Sequence, residues 1–237
     1  MKYPNLIEEK KLWTPPHPPP KGSKRKFGRA GGGSESHLPA GKWAPKGLKR
    51  VACLDEAGRG PLAGPVVAAA VSIIANCKLK IAKLRDSKKL SPKRREEIYK
   101  FIIKNPNVEW GIGKVSEKVI DKINILEATK LAMEKAIKKL KRKPDFLILD
   151  GNFKIDVKIP QKSIIKADEK VFSCALASIL AKVYRDRIME RYDKKYPRYG
   201  FSKHKGYPTR YHIKMLKKHG VCKIHRKSFW PVRGLQK

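Results

Sequence analysis

Acidic residues are scarce in this chain. Of its 237 residues only 21 are Asp or Glu, against 57 Lys and Arg, and the formal net charge is +36. A surplus of that size calls for a polyanionic partner, with nucleic acid first. Long apolar runs are also lacking. The longest, residues 65–75, is interrupted by Ser72 and is too short to span a bilayer. The opening MKYPNLIEEKKLW holds Glu8 and Glu9 and no apolar stretch, so no secretory signal is expected. Neither a lipid anchor nor a basic amphipathic N-terminal helix is expected, which leaves an anionic membrane the second candidate. Cysteine is sparse: Cys53, Cys77, Cys174 and Cys222 show no paired spacing, as expected of reduced thiols in a cytoplasmic protein. His219, Cys222 and His225 have the spacing of metal ligands, but a closed zinc site needs a fourth, and none is evident.

What is present divides near residue 50. Residues 1–50 carry 12 Lys/Arg against 3 acids, a proline run over residues 15–20 and three consecutive glycines, Gly31 to Gly33. Proline removes backbone donors and glycine raises the entropic cost of order, so a flexible basic arm is expected here. Lys24, Arg25, Lys26 and Arg29 could grip phosphates within it. With 41% hydrophobic residues over the whole chain, the remainder can build a real core.

From Val51 onward the pattern is that of a folded domain. Apolar runs predict strands at 51–55, 65–74 and 146–150, alternation predicts one through Val108, Trp110 and Ile112, and a weaker fifth falls at 163–168. Helices are expected at 92–104, with Pro92 in the first turn after Ser91, along the face of Leu126, Met133, Ile137 and Leu140, and over 173–192. The class is therefore α/β, a mixed sheet covered by helices.

The few acids sit where strands should end. Asp55 and Glu56 follow the first strand, Asp150 closes the fourth, and Asp168 precedes the long helix. Strand ends lie side by side in an open sheet, so these residues can converge. Converging carboxylates repel one another, and hard cations such as Mg²⁺ or Mn²⁺ relieve that repulsion with oxygen ligands. Two such ions can activate water and stabilise the leaving oxygen of a phosphodiester. A lone Asp at a strand end is more often a cap or turn residue, and Asp145, Asp156, Asp186 and Asp193 are read that way, or as partners of nearby Lys and Arg. The segment after Asp55 tips the balance. Gly58, Gly60 and Gly64 allow tight turns and close approach, and exposed amides around Arg59 suit a phosphate or a sugar hydroxyl.

The run DEAGRGPLAGPVVAAAV at 55–71 resembles the ribonuclease HII family, the type 2 ribonucleases H. Further segments are similar to family motifs in the family's order: DSKKLS at 86–91, INILEA at 123–128, ASILAKVYRD at 177–186, HKGY at 204–207 with Thr209 and His212, and HRKSF at 225–229. The resemblance implies a ribonuclease H-like fold, a five-stranded mixed sheet flanked by helices. It implies a metal-dependent endonuclease, using Mg²⁺ or Mn²⁺, that cleaves the RNA of RNA–DNA hybrids. It further implies nicking 5′ of ribonucleotides embedded in duplex DNA, leaving a 3′-hydroxyl and a 5′-phosphate. By motif position Asp55, Glu56, Asp150 and Asp168 would hold metal, and Gly58, Arg59 and Gly60 would inspect the ribose 2′-hydroxyl. Tyr207 would stack on the sugar at the RNA–DNA junction, and Ser87, Lys88 and Lys89 would hold a backbone phosphate. Pro208 stands where glycine is common and is expected to stiffen that loop. A monomer is the default expectation for an enzyme that wraps a duplex. The rival readings are a non-catalytic basic nucleic-acid-binding protein, which leaves the acids unexplained, and a metal nuclease of junction-resolvase type.

Overall fold

The computed structural model describes residues 45, 47, 48, 50–74 and 90–235. Most of the proposed arm, and Asp86, Ser87, Lys88 and Lys89, lie outside the described residues. Arg50 already belongs to the fold: its backbone N–H donates to Asp145 at 3.0 Å, and its carbonyl accepts from the Asp145 N–H at 2.9 Å.

Five strands form one mixed sheet in the order β3-β2-β1-β4-β5. They are β1 (Val51–Ala57), β2 (Val66–Ile73), β3 (Val108–Val115), β4 (Phe146–Asp150) and β5 (Gln161–Ile164). β1 pairs antiparallel with β2 and parallel with β4, so it is the central strand. β2 is built of small and β-branched residues because both its faces are covered. Val66, Ala68 and Ala70 face α2 (Glu117–Ile137), while Val67, Ala69 and Val71 pack under α1 (Pro92–Lys104) and α4 (Phe172–Lys195). The result is a three-layer α/β/α domain. β3 presses its backbone against α2, since a Cβ on Gly111 or Gly113 would fall 2.1 Å from the Ala136 carbonyl oxygen or 1.8 Å from that of Ala132.

Local chemistry sets the helix starts. The Ser91 hydroxyl accepts from the Arg94 N–H, with Pro92 opening the first turn of α1. Within α2, Asn124 breaks the helix at φ +64°, and its side chain then accepts from the N–H groups of Leu126 and Glu127, restarting it. α4 is buried around nearly its whole N-terminal half, more than the single stripe of Ala177, Leu180, Tyr184 and Ile188 predicted.

The fifth strand needs correction: it spans Gln161–Ile164, not 163–168. The Gln161 side-chain amide donates to the Ile155 carbonyl and accepts from the Ile155 N–H, which anchors the strand early. Lys166 then adopts φ +58°, and Asp168 sits in a short helix, α3 (Ala167–Lys170). Two further α-helices follow, α5 (Phe201–His204) and α6 (Arg210–His219). Among the described residues no helix is long and apolar enough to cross a membrane.

Candidate active site

Register brings the acids together. Leu54 of β1 is paired with Leu149 of β4, so the next residues, Asp55 and Asp150, lie side by side towards the C-terminal ends of these parallel strands. Asp55 and Glu56 do not follow β1 as expected but are still within it, paired with Ala69 and Ala68 of β2. Asp150 then accepts from the Ala167 N–H at 2.9 Å, which ties the start of α3 to the end of β4 and delivers Asp168 to the same place. One carboxylate oxygen each from Asp55, Asp150 and Asp168 lie within 4.8 Å of one another. Among the described residues this is the one cluster of metal-ligand type. Glu56 borders it and is held apart from it, its Oε1 accepting from Arg59 at 3.3 Å.

Burial makes this arrangement costly without a cation. The Asp55 carboxyl is pushed well above its usual range by desolvation, then by the charges of Glu56 and Asp150. Hydrogen bonds from Ser178 and from the Glu56 N–H oppose this only in part. Burial also raises Glu56, although Arg59 works against the shift. Glu56 Oε2 is buried with no hydrogen-bond partner among the described residues. A donor set of carboxylate oxygens with an unsatisfied buried oxygen beside it fits a hard divalent cation.

The glycine loop continues from the acids into a cleft of about 420 Å³ lined by Glu56, Gly58, Arg59, Gly60, Arg95, Ser178, Lys182 and Tyr207. Gly58 has φ +98°, and a Cβ there would sit 2.0 Å from Arg185 Nε. Glycine is therefore required on both conformational and steric grounds. The Tyr207 ring is 42% exposed and lies over Gly60, where an added Cβ would meet Cε1 at 3.7 Å.

Tyr207 stands on a buried histidine cluster. Its carbonyl accepts from His212 Nδ1 at 2.9 Å, and His212 Nε2 lies 3.1 Å from His225 Nε2. His225 Nδ1 in turn accepts from the Cys222 N–H, so His225 donates to His212 and both rings are neutral. Desolvation lowers both to a pKa of about 4. His204 stacks on His212 at 4.3 Å, bonds the Tyr199 carbonyl and accepts from the Gly206 N–H. His225 is thus committed to a hydrogen-bond network with Cys222 and His212.

The structure therefore unites Asp55, Asp150 and Asp168, sets Glu56 beside them, and puts Gly58, Arg59, Gly60 and Tyr207 in one cleft. Sequence reasoning missed Ser178, Arg185, Arg226 and the histidine cluster. All fall in the motif-like segments, but nothing in a basic sequence marks one arginine as buried. Of the acids read as structural, Asp145 pairs with Arg50 and Asp186 with Lys182, whereas Asp156 and Asp193 form no ion pair among the described residues.

The family model for ribonuclease HII matches residues 52–232. The chain belongs to the ribonuclease HII family. Ribonuclease HII of Chlamydia trachomatis serovar A is 52% identical over 188 residues, covering 79% of this chain and 85% of that protein. Ribonuclease HII of Acetivibrio thermocellus is 53% identical over 184 residues, covering 78% and 71%. Among solved structures, ribonuclease H2 from Pyrococcus horikoshii OT3 superposes with a TM-score of 0.64 at 29% identity, covering 78% of this chain and 96% of that one. The ribonuclease HII fold is thus the one described above, and the protein is an endonuclease with ribonuclease H activity on RNA–DNA hybrids. The family is metal-dependent, and the acidic cluster is present in this chain.

Proposed function

We propose that this enzyme requires Mg²⁺ or Mn²⁺ and, besides cutting RNA in hybrids, nicks duplex DNA 5′ of an embedded ribonucleotide. The convergence of Asp55, Asp150 and Asp168, next in sequence to a cleft lined by Glu56, the glycine loop and Tyr207, carries this reading. Asp55, Asp150 and Asp168, with Glu56 at their margin, would hold the cation. When bound, it supplies activation of water and neutralisation of the leaving oxygen. The chain's own residues do the rest. Ser178 and the Glu56 N–H orient Asp55, and the Ala167 N–H orients Asp150. Gly58 to Gly60 offer backbone groups to the cleft, and a 2′-hydroxyl, both donor and acceptor, is the feature that separates RNA from DNA there. Tyr207 stacks on the sugar past the ribonucleotide, and Ser87, Lys88 and Lys89 grip a nearby phosphate. Water adds across the P–O3′ bond, giving a 3′-hydroxyl and a 5′-phosphate. No base edge is read, so cleavage is insensitive to sequence. A cytoplasmic monomer suffices for this chemistry.

The test is cleavage of a DNA duplex carrying one ribonucleotide, with Mg²⁺, with Mn²⁺ and with chelator, beside an all-DNA duplex. Metal-dependent cutting 5′ of the ribonucleotide with the all-DNA duplex intact is expected. Cutting of all-DNA junctions would favour a resolvase instead.

A further inference from the structure

Arg226 is fully buried, and its guanidinium is committed to backbone carbonyls. Nε donates to Gly64 at 3.0 Å, one Nη to Arg59 at 2.8 Å and the other to Gly58. Burial is costly enough to lower its pKa to about 9, yet it remains charged at neutral pH. Arg185, also buried, makes the matching set beside it: Nε to Pro65, one Nη to Ala63 and the other to Lys205. Two desolvated cations thus fasten one eight-residue loop, in which Arg59 and Gly60 are the exposed residues.

The consequence lies in the peptide plane. A trans peptide points its C=O and its N–H in opposite directions. The Gly58 carbonyl shares a plane with the Arg59 N–H, and the Arg59 carbonyl with the Gly60 N–H. Drawing both carbonyls inward to Arg226 turns both N–H groups outward, on the stretch that lines the cleft. Neither N–H has a hydrogen-bond partner among the described residues. We infer that Arg226 is a positioning residue for ribose recognition: it aims the Arg59 and Gly60 N–H groups at the oxygen of the 2′-hydroxyl or its adjoining phosphate. This rests on the proposed reading of the loop as the ribose sensor. Charge alone does not suffice for the role, because three carbonyls in fixed directions need the planar fork of arginine, which lysine lacks.

The experiment is binding of the full chain, with Ca²⁺ replacing the catalytic metal, to a duplex with one ribonucleotide and to the same duplex in all-DNA form. In Arg226→Lys, with its fold checked by circular dichroism, the preference for the ribonucleotide duplex should fall about 10-fold, the scale of one or two lost hydrogen bonds. All-DNA affinity should change less than about 2-fold, because the exposed phosphate-binding charges are untouched. Retained preference in the folded variant would overturn the positioning role alone. Equal binding of both duplexes by the wild type would overturn the ribose-sensor reading first. Should Arg226→Lys not fold, amide NMR of the wild type decides: the Arg59 and Gly60 N–H signals should shift with the ribonucleotide duplex and not with the all-DNA one. The same response to both would reject the inference.

Discussion

At the acidic cluster, Asp55 and Glu56 are crowded and desolvated, and a buried Glu56 oxygen has no hydrogen-bond partner among the described residues. Around the glycine loop and Tyr207 the buried arginines and histidines are satisfied: Arg185 and Arg226 each reach three carbonyls, and the two facing histidines are joined in one direction of donation. The contrast separates two tasks. A metal site can be left electrostatically unbalanced because the cation supplies the balance on arrival. A site that must distinguish ribose from deoxyribose by one hydroxyl has to be rigid beforehand, because ordering it on binding would consume the small energy that discriminates.

Breaking the acidic end should have the largest effect. Asp55→Asn removes a negative oxygen that a cation needs, and cleavage should fall about 10³-fold or more. Hybrid binding should persist, and in chelator the melting temperature should rise by a few degrees, since a repelling charge is gone. A lower melting temperature in chelator would mean that the crowding described here does not strain the fold.

At the loop end the effect should be selective. Tyr207→Ala should slow cutting at an embedded ribonucleotide about 10-fold, the scale of one lost stacking contact, and cutting of a long hybrid less. Equal losses on the two substrates would remove the junction role.

Acid tests the buried histidines behind Tyr207. An unfolded chain protonates its histidines near pH 6.5, whereas His212 and His225 in the fold wait until about pH 4. Between those values the unfolded state binds more protons, so stability is complete above pH 6.5 and falls as the pH drops towards 4. A loss on the order of 2 kcal/mol or more is expected over that window. The raised Asp55 carboxyl acts in the opposite sense, taking up its proton more readily in the fold, so the decline should be steeper in the Asp55→Asn background. Melting curves that stay level between pH 6.5 and 4.5 would show that the histidines are not buried neutral.

The acids were legible because each ends or follows an apolar run, although β1 runs on through Asp55 and Glu56 to Ala57. Asp168 was legible as a residue and misplaced as an element. Its position depends on the bond from Asp150 to the Ala167 N–H, which joins points 17 residues apart. The near-complete burial of the N-terminal half of α4 was not legible. Apolar periodicity reports one covered face, and only the packing of α1 and the sheet around that helix covers the rest.

By itself, the chain's amino-acid order determined an α/β domain, a polyanionic partner, and carboxylates at strand ends, because these follow from charge and from local alternation. Only the tertiary structure decided which of 57 basic residues are buried. Arg185 and Arg226 differ from their solvent-facing neighbours in nothing local. They are held inside because the carbonyls of a turn more than 100 residues away point at them, and no local pattern records a contact of that range.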